Sequence, residues 1–146
     1  MWKKEVVDGK QDWPYSQYSE ALGVVILSGQ TGTVDGKPVP GGIEAETRQA
    51  INNSMLIVHG LGMNEDNIMD VQVTLLDLDE NRSGFEKVYD GELFPDPGNR
   101  ASRDLTGGTP ANGSKVNIRM TLSRVRPIRG KPGEPEPSTD DAGQIR

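Results

Sequence analysis

The chain has 146 residues, a length that makes one ordinary domain, with 22 acids against 16 bases and a formal charge of −6. It has no cysteine and one histidine, which excludes disulfides, thiolate catalysis, Cys-ligated metals and a His-rich metal site. No stretch approaches the run of about 20 apolar residues a membrane span needs, the N-terminus lacks a secretory h-region, and no basic run offers a nucleic-acid footprint. An intracellular, cytoplasmic protein that binds neither membrane nor nucleic acid is the expectation.

An N-terminal strand is expected around Lys3–Val7. Val24-Val25-Ile26-Leu27 is a continuous apolar run ended by Ser28-Gly29-Gln30-Thr31-Gly32, and four such residues suit a buried strand. Asp35-Gly36 offers a tight turn, and residues 38–42 a loop. From Ile43 to Leu61 the period changes. Ile43, Thr47, Ala50, Ile51, Ser54, Met55, Val58 and Leu61 recur at steps of three and four, with Glu44, Glu46, Arg48, Gln49, Asn52 and Asn53 as the wet face of a helix. Acids in its first turn and glycines at 60 and 62 mark its ends.

Residues 68–78 alternate as a strand covered on one face. Residues 83–94 repeat near helical spacing through Phe85, Val88, Tyr89 and Leu93, until Pro95 and Pro97 stop the helix. A strand is expected at 100–105, and Val116, Ile118, Met120 and Leu122 alternate cleanly as the last one. Residues 127–146 hold four prolines, three glycines and seven charges, which predicts a disordered tail behind a domain of residues 1–126.

This order predicts an α+β domain with two helices on one face of a mixed sheet. The other face is left bare, and if it is apolar a second copy must cover it. The oxygen-rich run Asp77–Gly84 has Arg82 where a calcium loop needs glycine and Val88 where it needs an acid, so a polar loop explains it better than a metal site. His59 stands in the last turn of the first helix with no nucleophile or orienting partner in view, the place of a surface or capping residue. Arg100 either grips a carboxylate in the bidentate way a fixed guanidinium can, or pairs with one of the 22 acids.

A resemblance supplies a further expectation. Pro14-Tyr15-Ser16-Gln17, Leu27-Ser28-Gly29-Gln30, Glu46-Thr47-Arg48-Gln49-Ala50-Ile51-Asn52-Asn53 with Leu61-Gly62, Val71 with Val73-Thr74 and Asp77-Leu78, Val88-Tyr89 with Phe94-Pro95, and Arg100-Ala101-Ser102 occur in an order and spacing that resembles the Rid (YjgF) family of reactive-intermediate deaminases. The resemblance spans nearly all of residues 1–126. It implies a chorismate-mutase-like two-layer sandwich, assembled as a homotrimeric barrel with ligand sites between subunits. It further implies that Arg100 holds the carboxylate of an imine or enamine. Tyr15, the Ser102 backbone and the Ser28-Gly29-Gln30 turn would line the cleft, and no metal or organic cofactor is needed.

Two positions depart from the family pattern. The water-positioning glutamate of the last strand falls on Arg119, with Asn117 two residues away on the same face, and Glu86 stands where members often carry asparagine. Neither Arg119 nor Asn117 is a carboxylate base. With Arg100 and Arg119 in one cleft, the expected ligand is a dianion or phosphorylated acid, and Glu86 or Glu92 is the expected protein partner if no ligand is bound. The readings are therefore a deaminase with reduced or retargeted activity, a non-catalytic trimer that binds a small acid, and a chaperone-like trimer. The acidic charge weighs against the ribonuclease activity reported for some relatives.

Overall fold

The computed structural model describes residues 16–130 of the chain, so the expected strand at Lys3–Val7 and the cleft residue Tyr15 lie outside the described residues. Strand β1 (Tyr18–Ala21) pairs antiparallel with β2 (Val24–Leu27). Two short strands, β3 (Gln30–Thr31) and β4 (Thr33–Val34), follow, and β4 pairs with β5 (Lys37–Pro38) across Asp35-Gly36. Both turn residues have positive φ, 51° and 76°, the geometry that lets a two-residue hairpin follow the strand twist. Helix α1 (Gly42–Gly60), β6 (Ile68–Leu75), α2 (Leu78–Val88), β7 (Ser102–Gly107) and β8 (Val116–Ser123) complete the order.

The main sheet runs β1-β2-β8-β6-β7, with β3 also paired to β8. Only β6 and β7 are parallel, and the chain passes through α2 between them. Both helices pack together and against one face of the sheet, closing a core that joins Val25, Leu27, Ile57, Val58, Val71, Val73, Phe85, Ile118 and Met120. The α+β sandwich with a mixed sheet and two helices on one face is therefore the architecture found.

Several expectations shift. The run Val24–Leu27 is not buried on both sides: Val25 and Leu27 enter the core while Val24 and Ile26 remain 37% and 39% exposed on the face without helices. Helix α2 begins at Leu78, five residues before the expected start. Asp79 and Glu80 in its first turn suit the helix dipole, and the Asn81 side chain donates to Leu76 O. The bare face is mostly polar, carrying Asp70, Gln72 and Thr74 of β6, Asn117, Arg119 and Thr121 of β8, and Ser102 and Asp104 of β7. Burial of an apolar face is therefore not what would drive assembly.

The expected wet face of α1 is also corrected, because Glu46 and Asn53 are buried at 2% and 3% exposure. The strand and hairpin at residues 30–38 lie along the helix, where Asn53 satisfies their backbone, while Glu46 satisfies that of the segment entering β8. Asn53 Nδ2 donates to Thr31 O at 3.1 Å and to Thr33 O at 3.0 Å. Glu46 Oε1 accepts from Lys115 N at 2.8 Å and from the Ser114 hydroxyl at 3.2 Å, with Lys115 Nζ 3.6 Å from Oε2. A 3.6-residue period reports polarity, not coverage, so it could not separate these two from the solvated residues beside them.

Gly32 is what lets the chain approach so closely. A Cβ there would stand 2.5 Å from both Cβ and the carbonyl oxygen of Glu46. Gly32→Ala is expected to cost about 2–3 kcal/mol by overpacking, lowering the thermal midpoint by roughly 10 °C. An unchanged melting curve would show that the contact yields freely.

Candidate functional site

Arg100 is delivered to the surface by two successive turns. Helix α2 ends in a π-helical turn over Tyr89–Leu93, in which Phe94 N donates to Tyr89 O at 3.2 Å. An α-helical register would have sent that N–H to Asp90 O, so the wider turn leaves the Asp90 carbonyl free. A 3₁₀ turn at Pro97–Asn99 follows, capped by Asp96, whose Oδ1 accepts from Gly98 N at 2.9 Å. Arg100 then folds back. Its Nε donates to Phe94 O at 2.9 Å and its Nη2 to Asp90 O at 3.4 Å.

That arrangement bears on the two readings of Arg100. A surface arginine satisfied by an acid would show an ion pair, as Arg48 does with Glu92 at 2.6 Å and Arg124 with Glu20 at 2.9 Å. Those partners lower the Glu92 and Glu20 pKa values through the hydrogen bonds they donate. Arg100 has no carboxylate within ion-pair distance among the described residues. Two neutral carbonyls orient the half-buried guanidinium, and three of its five N–H groups remain for a ligand. Neither acid expected beside it fills that role, because Glu86 pairs with Arg103 at 2.8 Å and Glu92 with Arg48.

Arg100 lines an open cleft of about 460 Å³ together with Met69, Ala101, Ser102, Ile128 and Arg129. The Ser102 hydroxyl donates to Asp70 Oδ1 at 2.7 Å, so its proton is committed. Arg119 is elsewhere. It lines a separate groove of about 220 Å³ with Ser16, Tyr18, Ile26 and Ser28. Within one chain, Arg119 is level with Gln72 and Asp104, whereas Ser102 is level with Asp70. The two positions are two strands apart, roughly 12 Å at the backbone.

The Ser28-Gly29-Gln30 turn belongs to the Arg119 side. Ser28 Oγ donates to Ser16 O at 2.6 Å, Gln30 is fully buried with Nε2 donating to Ser28 O at 3.2 Å, and the Asn117 amide covers Gly29 so tightly that a Cβ there would sit 2.6 Å from Oδ1. The expected site residues thus form two sets in one chain, Arg100 with Ser102 and Ser28–Gln30 with Arg119. His59 lies in neither, and lines a third groove beside Arg48 and Glu92.

A cluster that the sequence pattern did not single out holds the π turn in place. Arg103 Nη2 donates to Glu86 Oε2 at 2.8 Å and Nη1 to Asp90 Oδ1 at 3.5 Å, and its Cζ lies 5.1 Å from the Tyr89 ring centroid and 5.6 Å from that of Phe85. Tyr89 stacks on Phe85 at 5.2 Å and meets Phe94 edge-on at 5.6 Å. Burial pushes the Tyr89 phenol well above its ordinary pKa, and its hydroxyl has no hydrogen-bond partner among the described residues.

Two substitutions separate these contributions. Arg103→Met leaves Glu86 and Asp90 without their shared cation and should lower stability in urea by about 1–2 kcal/mol. An unshifted midpoint would mean the cluster does not brace the turn. Tyr89→Phe removes only an unbonded hydroxyl and should leave the midpoint in place or raise it by up to about 1 kcal/mol; a clear loss would reveal a partner for that oxygen.

Three comparisons bear on this geometry. The profile of the family described as Endoribonuclease L-PSP matches residues 10–120. The protein mmf2 of the fission yeast Schizosaccharomyces pombe, named as mitochondrial, is 31% identical over 107 residues, which is 72% of this chain and 83% of that protein. Among solved structures, the Rid-family protein YyfA of Yersinia pestis superposes with a TM-score of 0.73 at 21% identity, covering 84% of this chain and 96% of that one. The YjgF gene product of E. coli does so with a TM-score of 0.69 at 22% identity, covering 77% and 90%.

Proposed function

Because the chain belongs to the endoribonuclease L-PSP family of the YjgF/Rid superfamily, we propose that it binds a small carboxylate metabolite through Arg100 and hydrolyses an imine or enamine carried by that acid. The observation that carries this reading is a guanidinium anchored by neutral carbonyls, facing a cleft, with no acid paired to it among the described residues. Such a group is oriented before the ligand arrives, so little is lost in ordering it. A bidentate carboxylate would align the C=N carbon above the Ser102 backbone. Water adds to that carbon, the C–N bond of the resulting carbinolamine breaks, and ammonia leaves a keto acid. Enamines reach the same point after protonation at carbon.

The complete cleft would form between copies of the chain. Arg100 and Ser102 lie on one side of a protomer and the Ser28–Gln30 turn with Arg119 on another. Side-by-side packing in a homotrimer would bring one protomer's first set to its neighbour's second. The polar bare face agrees with a closed assembly that encloses a wet interior and not an oily one. Size-exclusion chromatography with light scattering should return three times the 15.9 kDa chain mass.

Catalysis is the weaker half of the activity. Asn117 can orient a water through its amide but cannot take its proton, and Arg119 cannot act as a base at neutral pH. This favours a turnover below that of members with the glutamate, and it supports a second reading in which the trimer binds small acids without converting them. A net charge of −6 weighs against RNA as the substrate despite the family's descriptive name.

The test is ammonia release from 2-iminopropionate generated in situ, together with titration of pyruvate. Release above the buffer rate supports the deaminase. A ligand-induced rise in melting temperature with no release supports the non-catalytic binder. Arg100→Ala should weaken pyruvate binding by roughly 100-fold through loss of two charge-assisted bonds. Equal affinity in that variant would remove both readings.

A further inference from the structure

The C-terminal segment does not leave the body at Pro127, where the tail was expected to start. Arg129 turns back onto the rim of the Arg100 cleft. Its Nη1 donates to Ile68 O, its Nη2 to Glu65 O at 3.2 Å, and its Nε to Asn99 Oδ1 at 3.4 Å. Its Cζ stands 5.9 Å from the ring centroid of Phe94, the residue whose carbonyl orients Arg100. Two guanidiniums are therefore anchored on one residue and line one cleft.

The two share an unusual condition. Neither has a carboxylate within ion-pair distance among the described residues, and both are held by uncharged oxygens. Asp66 is the acid that most supports the charge on Arg129. Its Oδ1 already accepts from Asn99 Nδ2 at 2.7 Å, and its Oδ2 faces Arg126 at 3.9 Å. Burial pulls the Arg129 pKa below its ordinary value, which shows that the charge is held at a cost, and an arginine nevertheless stays protonated at neutral pH. Both guanidiniums line the same cleft, and an anion that reaches both gains charge-assisted bonds from each. Arg119, which the sequence suggested as the second cation, lies in the other groove of the protomer.

We propose that Arg129 is a specificity-determining residue of this cleft, and that the preferred ligands are small acids with two anionic groups, one on Arg100 and the other on Arg129. The proposal rests on the reading of Arg100 as a carboxylate clamp. It gives the C-terminal segment a role at the site: residues 124–130 carry a cation from the end of β8 to the start of β7. Ligands with one carboxylate engage Arg100 alone.

The experiment is calorimetric titration of the full chain, at low salt, with 2-oxobutyrate (one carboxylate), 2-oxoglutarate (two carboxylates) and phosphoglycolate (a carboxylate and a phosphate). The dianions should bind roughly ten-fold more tightly than 2-oxobutyrate, the worth of one added charge-assisted contact. Comparison of the two dianions tells whether the second group is a carboxylate or a phosphate. In Arg129→Gln that ratio should collapse toward one, and in Arg129→Lys most of it should return. A purely structural Arg129 would weaken all three ligands alike and preserve the ratio. No dianion preference in the parent protein, or a ratio that survives Arg129→Gln, overturns the proposal.

Arg100→Ala separates this from the reading beneath it. If that variant loses 2-oxobutyrate while the ratio is insensitive to Arg129, only the present proposal falls. Undiminished binding in Arg100→Ala, or no binding of any of the three acids to the parent protein, ends both.

Discussion

A positive charge held by dipoles and not by an opposite charge is the constraint from which the rest of this molecule can be understood. Arg100 is placed by the carbonyls of Asp90 and Phe94. The first of these is free because the chain leaves α2 through a π turn, and that turn is braced by Arg103 with its two acids and two aromatic rings. An acid in the place of those carbonyls would have made a stable ion pair and an inert surface. Carbonyls orient the guanidinium while leaving its charge available to a ligand. Two arginines three residues apart thus differ in their engagement, Arg103 paired with acids in the fold and Arg100 held by carbonyls at the cleft.

The opposite end of the sheet solves a different problem. The chain after β2 must run beside α1 with its backbone polar groups out of water. Asn53 meets the carbonyls of Thr31 and Thr33, the Ser114 hydroxyl that Glu46 holds accepts from Gly32 N, and Gly32 permits the contact distance. This packing fixes the Ser28–Gln30 turn, over which Asn117 lies. Both halves of the expected site are consequently held by interactions that reach deep into the protomer, although they open in different directions. In the proposed trimer each rigid half would be completed by a neighbour.

The polarity of the uncovered sheet face limits the kind of assembly it could support. An apolar face would drive association wherever two copies met, with little demand on geometry. A face of Asp70, Gln72, Thr74, Asn117, Arg119 and Thr121 has to be matched group by group, which is the kind of surface that selects one arrangement over others. Val24 and Ile26 add a narrow apolar strip along one side of it.

Much of this was legible in residue order alone. The periods of β6 and β8 are strong because each strand has one face against a single core, and period follows burial there. The motif residues around Ser28–Gln30 and Arg100 pointed to a family and to a carboxylate clamp. Glu46 and Asn53 were misplaced because their partners are backbone groups distant in the chain, which leave no mark on the local pattern. The early start of α2 was hidden for a related reason: Asp79, Glu80 and Asn81 are polar loop residues by composition, and only the Asn81 bond to Leu76 O and the helix dipole turn them into a first turn.

By itself the sequence determined the α+β class, the core-facing residues of β6 and β8, and the arginine proposed as the clamp, since hydrophobic periodicity and local motif chemistry are properties of neighbouring residues. Which cation shares the cleft with Arg100 was decided only by tertiary structure. Arg119 and Arg129 are similar as letters near the end of the chain. The antiparallel register of β8 carries one toward the Ser28 turn, and hydrogen bonds to Ile68, Glu65 and Asn99 bring the other back to Phe94. Contacts between residues some thirty to sixty positions apart are written in no short stretch of sequence, because they exist only once the sheet has closed.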